Sequence, residues 1–167
     1  GMANKWLADE NRETYEYITS HMKKDMVLLL IGCNQKQNQN NKMSNVIMEG
    51  FVKNRYELAE YYSAADVFVN VTKVDTLPTV NIEALACGTP VITYDSGGSA
   101  EVVDEDTGKS IFYGNYKKLY QEIMLIRNNG KEIYSKKCRR RAERLFDKNT
   151  RFKEYVDLYW KIERKRQ

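Results

Sequence analysis

Two carboxylates and a pair of glycines mark the stretch of this sequence that could do chemistry. Asp75 stands eight residues before Glu83, with Pro78 and Thr79 between them, and the turn Asp95-Ser96-Gly97-Gly98-Ser99 follows. Glycines let a backbone approach a ligand closely and aim N–H groups at it. The start of a helix offers unpaired N–H groups and the positive end of its dipole. Together these features make an anion site suited to phosphate. Two carboxylates beside it suit the hydroxyls of ribose and sugar. The chemistry this pattern predicts is recognition of a nucleotide bearing hydroxyl-rich groups.

The elements that must position these residues read as strand, loop, short helix, strand and glycine turn. Residues 67–69 are a β-branched and aromatic run, the pattern of a buried strand. Thr79 is the candidate N-cap of a helix running to Ala86, with Gly88 as its stop. Pro90 leads into a second strand over 91–93. Two strands joined by a helix form a right-handed βαβ unit with parallel strands. In an open parallel sheet, ligands bind outside the carboxyl ends of the strands. The loop 71–79 and the turn 95–99 each follow a strand, so both fall on that edge. Glu83 is expected in the first turn or so of the helix. The backward tilt of its Cα–Cβ bond would then carry its carboxylate over the same crevice.

The rest of the chain alternates helix and strand. A helix is predicted over 10–24, with Leu7, Tyr15 and Ile18 inward, and a buried parallel strand over 26–31. Residues 35–44 are almost all Asn, Gln and Lys and read as a mobile surface loop. A strand follows at 46–48, then a helix from Asn54 to about Ala65, opened by the Asn54/Glu57 spacing of a capping box. Its apolar face uses Leu58, Tyr62 and Ala65. A short strand at 110–112 precedes helices over 115–129, 131–146 and 149–164, the first two divided by Gly130. In the last helix Phe152, Tyr155, Val156, Tyr159 and Trp160 form an apolar stripe, expected to pack as core. The alternation predicts one doubly wound α/β domain over 1–167.

Composition narrows the class. Hydrophobic residues at 42% and charged residues at 30% of 167 predict a globular chain with a sizeable core rather than disorder. No apolar run approaches the ~20 residues that span a bilayer, and no signal peptide is visible at the start. Cys33, Cys87 and Cys138 are odd in number and lack metal-ligand spacing, as expected of reduced thiols in a cytoplasmic protein. A net charge of +4 is too small to imply nucleic acid. The basic cluster Lys136, Lys137, Arg139, Arg140, Arg141 and Arg144 reads as a solvated helix face, with attachment to anionic membrane lipids left open. His21, the only histidine, lies near a polar helix end, and no catalytic role is expected of it.

One combination is more specific than any of its parts. Asp75, then seven residues, then Glu83-Ala84, then Cys87-Gly88-Thr89-Pro90-Val91-Ile92, then Gly97-Gly98-x-x-Glu101 occur in this order. This pattern is similar to the donor-binding half of family 4 retaining glycosyltransferases of the GT-B fold. The approach Ala59-Glu60-Tyr61-Tyr62-Ser63-Ala64-Ala65-Asp66-Val67-Phe68-Val69 resembles that family too. The likeness covers most of the chain and is strongest from Gly50 to Val103.

The resemblance implies a Rossmann-like parallel sheet, the C-terminal half of a GT-B enzyme, with the acceptor-binding domain absent from this chain. It implies sugar transfer from a nucleotide-diphosphate donor with retention of configuration. The catalytic assignment is Asp75 and Glu83: Glu83 on the ribose hydroxyls, Asp75 on hydroxyls of the donor sugar and on developing charge. The amides of Thr79 and Val80, and Gly97 and Gly98, would contact the diphosphate. Phe51 and Val52 either belong to the core or flank the nucleotide base. No metal or other cofactor is expected, because helix dipole, backbone N–H groups and basic side chains handle the phosphate charge. The implied partners are a nucleotide sugar and, through the absent domain, an acceptor sugar or lipid-linked glycan. Peripheral contact with the inner face of a membrane is compatible with such an acceptor, nucleic acid is not a partner, and the isolated chain is expected to transfer nothing.

Two departures stand out. The family usually has Glu where this chain has the shorter Asp75. It usually carries a basic pair that clamps the diphosphate where this chain has Asp9-Glu10-Asn11. Lys5, Arg12 or Lys73 are candidate substitutes. A non-catalytic homologue that has lost the clamp is therefore an alternative, as is a flavodoxin- or receiver-like signalling domain with an acidic pocket.

Overall fold

A computed structural model describes residues 1–164. The elements, in chain order, are α1 (Ala3–Trp6), a 3-10 turn (Asp9–Asn11), α2 (Arg12–His21), β1 (Leu28–Ile31), α3 (Gln35–Asn40), β2 (Val46–Glu49), α4 (Arg55–Ala64) and β3 (Phe68–Asn70). Then come α5 (Thr79–Ala86), β4 (Val91–Asp95), α6 (Ser99–Val102), β5 (Gly108–Phe112), α7 (Tyr116–Asn129), α8 (Glu132–Phe146) and α9 (Lys148–Arg164).

All described strand pairs are parallel, as the apolar runs joined by helices require. They form two sheets rather than one, β1-β2 and β3-β4-β5. Phe68 pairs with Val91 and Val91 with Gly108, so β3-α5-β4 is the expected βαβ unit. Successive strand side chains point to opposite faces, and each face meets its own helices. Val69, Ile92 and Tyr94 join Trp6, Ile18, Leu119 and Ile126 on one side. Phe68 and Val91 join Tyr62, Leu85, Cys138 and Ala142 on the other. Burying a side chain such as Leu85 or Ile92 stabilises the fold by about 1.5–3 kcal/mol.

Several expectations are corrected. The Asn/Gln segment is not a mobile loop but contains α3. Asn34 accepts from Gln37 N–H while the Gln37 side chain accepts from Asn34 N–H, a reciprocal cap that satisfies the helix's first donors. The first long helix starts later than expected, after the 3-10 turn that holds Asp9 and Glu10. Asn54 caps α4 through Tyr56 N–H rather than through the box with Glu57. In α9 the apolar stripe is not core: Phe152, Tyr155, Tyr159 and Trp160 are exposed, because among the described residues nothing packs over that face. The basic side chains of α8 are partly engaged: Lys137 with Asp106 at 2.7 Å, Arg139 with Glu143 at 2.7 Å, and Arg141 with Asp104. His21 is exposed and stacks on Tyr17.

Candidate functional site

Parallel strands bring all their carboxyl ends to one edge. Met2 bridges Ile31 at the end of β1, and Trp6 Nε1 donates to Val69 O near the end of β3 at 3.1 Å. α1 therefore spans both sheets at the same edge. That edge gathers the connections after β2 (Phe51 onward), after β3 (Val71–Pro78) and after β4 (Ser96–Gly98), and the start of α5.

The turn after β4 is seated on the loop after β3. Gly98 N–H donates to Asp75 O at 3.2 Å, and Ser96 Oγ donates to Thr72 O at 3.0 Å. Gly97 has φ +53°, and a β-carbon there would fall 1.9 Å from Asp75 O. At Gly98 one would fall 2.0 Å from Thr76 O. Both positions thus require glycine, by conformation at the first and by close approach at both. The Asp75 side chain turns back on its own loop: Oδ1 accepts from Leu77 N–H at 3.2 Å. Asp75 is half-buried.

α5 begins without a side-chain cap. Its N-cap is Pro78, extended at ψ 105°, and Thr79 is the first helical residue, not the cap expected of it. Proline cannot offer a side-chain oxygen, so no side chain satisfies the first N–H groups. Asn81 N–H returns to Pro78 O at 3.0 Å. The amides of Thr79 and Val80 have no main-chain partner among the described residues. Thr79 is exposed and Val80 half-buried.

Glu83 is the fifth residue of α5, one residue further in than a Thr79 cap implies. It is exposed, and Oε2 accepts from Tyr62 Oη at 3.1 Å. Burial, and then the Glu83 carboxylate, push the Tyr62 phenol far above its ordinary range. Asp75 and Glu83 flank one connection, but no hydrogen bond among the described residues joins their side chains.

Phe51 is 79% exposed, which rules out the core alternative for it. Val52 is half-buried in the same connection. Asn11, 2% exposed, ties the edge together: Nδ2 donates to Lys5 O at 2.9 Å and to Val71 O at 2.8 Å. Tyr113 Oη donates to Glu10 O and Asn11 Oδ1 at 3.1 and 3.2 Å. Of the candidate cations, Arg12 is engaged by Asp9 at 2.8 Å. Lys73 is exposed, with Nζ 5.9 Å from the centre of the Tyr113 ring. Tyr113 thus meets Lys73 with its ring and the turn that carries Asp9 and Glu10 with its hydroxyl.

Thr72 Oγ1, Asn81 Nδ2 and Ser99 Oγ are buried here without a partner among the described residues. Unsatisfied buried polar atoms cost about 1–3 kcal/mol each. Sequence reading missed Tyr62, Asn11 and Tyr113. The sequence places Tyr62 on an apolar helix face and within the Ala59–Val69 run, and nothing in its spacing from Glu83 announces the contact. Cys138, buried, has its thiol pushed up to about 12 by that burial and offers no thiolate. Among the described residues no group of three His, Cys, Asp or Glu is placed to hold a metal. No described helix is long and apolar enough to cross a membrane.

Residues 6–129 match the family described as "Glycosyl transferases group 1". The chain is 34% identical over 121 residues to the alpha-monoglucosyldiacylglycerol synthase of Acholeplasma laidlawii, covering 61% of this chain and 30% of that one. It is 29% identical over 150 residues to spore coat protein SA of Bacillus subtilis, covering 87% of this chain and 35% of that one. Among solved structures, the sucrose-phosphate synthase of Thermosynechococcus elongatus superposes with a TM-score of 0.69 at 29% identity, over 81% of this chain and 38% of that one. The Anabaena protein HepE, solved with UDP, superposes at 0.76 with 17% identity, over 91% of this chain and 45% of that one, a likeness of fold. The chain thus spans under half the length of these relatives, and its fold is that of the Rossmann-like C-terminal half of GT-B glycosyltransferases. Because the family match runs through most of its length, the chain belongs to the group 1 glycosyl transferases.

Proposed function

We propose that this chain is the donor-binding half of a family 4 retaining glycosyltransferase, which binds a nucleotide-diphosphate sugar. The observation that carries this reading is the uncapped start of α5 beside a diglycine turn seated on the Asp75 loop. The open Thr79 and Val80 amides, the α5 dipole and the Gly97-Gly98 turn receive the diphosphate. Glu83, held by Tyr62, takes the ribose hydroxyls, and Phe51 and Val52 lie against the base. Asp75 takes hydroxyls of the sugar. Lys73 replaces the family's basic pair, supplying positive charge to the leaving diphosphate. With amides, dipole and Lys73 sharing the phosphate charge, the reaction needs no metal.

The acceptor is a sugar or a lipid-linked glycan; one relative is named as a synthase of a diacylglycerol glycolipid, which favours the lipid. The chain 1–167 by itself binds donor and transfers nothing. Titration calorimetry of the chain against UDP, GDP and their sugars tests this. Saturable binding to one nucleotide family, lost in Gly97→Ala, is the expected outcome. Absence of binding throughout the panel sinks the reading and favours the homologue that has lost its clamp. The family membership sets the flavodoxin- or receiver-like alternative aside.

A further inference from the structure

Two asparagines break the local pattern beside the candidate site. Asn70 closes β3 directly after Phe68 and Val69, and Asn81 stands in the first turn of α5 between Val80 and Ile82. Asparagine is a poor residue in strands and in helix interiors, where its side chain competes for main-chain hydrogen bonds. Both side chains belong to buried residues, 4% and 0% exposed. A buried amide needs a partner, and these two meet each other: Asn70 Nδ2 donates to Asn81 Oδ1 at 2.9 Å.

The backbone fixes the direction of that bond. Thr72 N–H can only donate, and it donates to Asn70 Oδ1 at 3.2 Å. Asn70 therefore presents Nδ2 to α5, and Asn81 answers with its oxygen. Asn81 Nδ2 is left buried without a partner among the described residues. A pair that strands one donor is a poor device for packing, which an apolar contact of similar size would serve better. What it adds is direction. Apolar contacts are non-directional, whereas an N–H···O bond confines its heavy atoms to about 2.7–3.2 Å.

The pair also belongs to a longer chain of contacts. Ser96 Oγ, just before Gly97, donates to Thr72 O at 3.0 Å. Ser96, Thr72, Asn70 and Asn81 thus connect the glycine turn, through β3, to the third residue of α5. Thr79 and Val80, whose amides have no main-chain partner among the described residues, come immediately before Asn81.

We propose that Asn70 and Asn81 are positioning residues for the donor diphosphate, an inference that rests on the donor-binding reading above. Asn70 fixes the height and rotation of the first turn of α5 over β3, and so aims the Thr79 and Val80 amides. Main-chain amides cannot be re-aimed unless the helix moves. Glu83 can, because it acts from the end of a flexible side chain and is held separately by Tyr62. Loss of the pair therefore weakens the hold on phosphate and spares the hold on nucleoside.

Calorimetry with UDP and with uridine, beside thermal melts, is run on the chain and on Asn70→Ala, Asn81→Ala and the double variant. Each single variant should lower UDP affinity about tenfold and keep uridine affinity within about twofold. The double variant should lose no more than Asn70→Ala alone, since Asn81 then has no bond left to lose. Equal falls for UDP and uridine, or single losses that multiply in the double variant, overturn the proposal. Should alanine unfold the domain, Asn81→Leu keeps a branched side chain in the buried place, and the same split between UDP and uridine is expected of it. Crystal structures without nucleotide give a readout independent of donor binding. Residues 78–80 should shift against β3 by about 1 Å in Asn81→Leu, and superposition within about 0.5 Å overturns the proposal. If the unaltered chain binds neither UDP nor uridine, the donor-binding reading falls, and these structures alone decide the role of the pair.

Discussion

Tyr62 donates its phenolic hydrogen to Glu83 Oε2 across 3.1 Å, joining the last turn of α4 to the middle of α5. The phenol is buried beneath an exposed carboxylate and stacks edge-on against Phe68, with centroids 5.3 Å apart. Burial and the carboxylate both oppose ionisation of Tyr62. The phenol therefore remains a donor, and Glu83 is held in one orientation.

This contact makes stability depend on alkaline pH. The folded phenol binds its proton more tightly than an unfolded tyrosine, whose pKa is about 10. Its contribution is complete below pH ~10 and declines as pH rises further, because only the unfolded chain then releases the proton. Tyr62→Phe should cost about 1 kcal/mol near neutral pH and flatten the decline above pH 10. Urea unfolding of both proteins from pH 7 to 11 measures this, and equal slopes would count against it. The same variant should weaken nucleoside binding several-fold, since a freed Glu83 must be reordered on the ribose.

Thr79→Pro separates anion binding from folding. Proline suits the first helical position, and Pro78 already has the extended conformation that must precede it. The substitution removes one open N–H. UDP affinity should fall about tenfold, the scale of a lost charge-assisted hydrogen bond, while the melting temperature stays within a few degrees. Calorimetry and thermal melts on one preparation give both values; unchanged UDP affinity would falsify the assignment of this amide.

At Gly97 the prediction is the opposite, a joint loss of stability and binding. Alanine there must adopt φ +53° and displace the Asp75 carbonyl. The cost should be about 2–4 kcal/mol, with UDP binding reduced beyond detection. Unfolding midpoints and calorimetry check both; near-wild-type values would show that the turn and the Asp75 loop are not rigidly coupled.

Lys73→Ala should leave folding unchanged, because the side chain is exposed. Affinity for UDP should drop about tenfold while affinity for uridine stays constant. The salt dependence of UDP binding should also weaken. A matched fall for uridine would instead place Lys73 at the base or ribose.

Asn11→Ala leaves the buried carbonyl of Val71 and the partly buried carbonyl of Lys5 without this donor. The cost should be about 2–3 kcal/mol, read from the denaturant midpoint. Because Tyr113 and Lys73 lean on the same turn, UDP affinity should fall as well.

The sequence by itself determined the βαβ unit. Phe68–Val69 and Val91–Ile92 are apolar and buried, and Pro78 and Gly88 delimit a helix between them. These are local signals, carried by side-chain period and backbone conformation within a few residues. The doubly wound class and the seating of the glycine turn at the carboxyl edge followed from connectivity alone. Tertiary structure alone decided what depends on residues far apart in the chain. It carried Tyr62 to Glu83, Asn11 to Val71 and Tyr113 to the turn holding Asp9 and Glu10, contacts spanning 21, 60 and about 100 residues. It also decided that α9 stands exposed and that β1 and β3 do not pair, since burial and pairing depend on what the rest of the chain can reach.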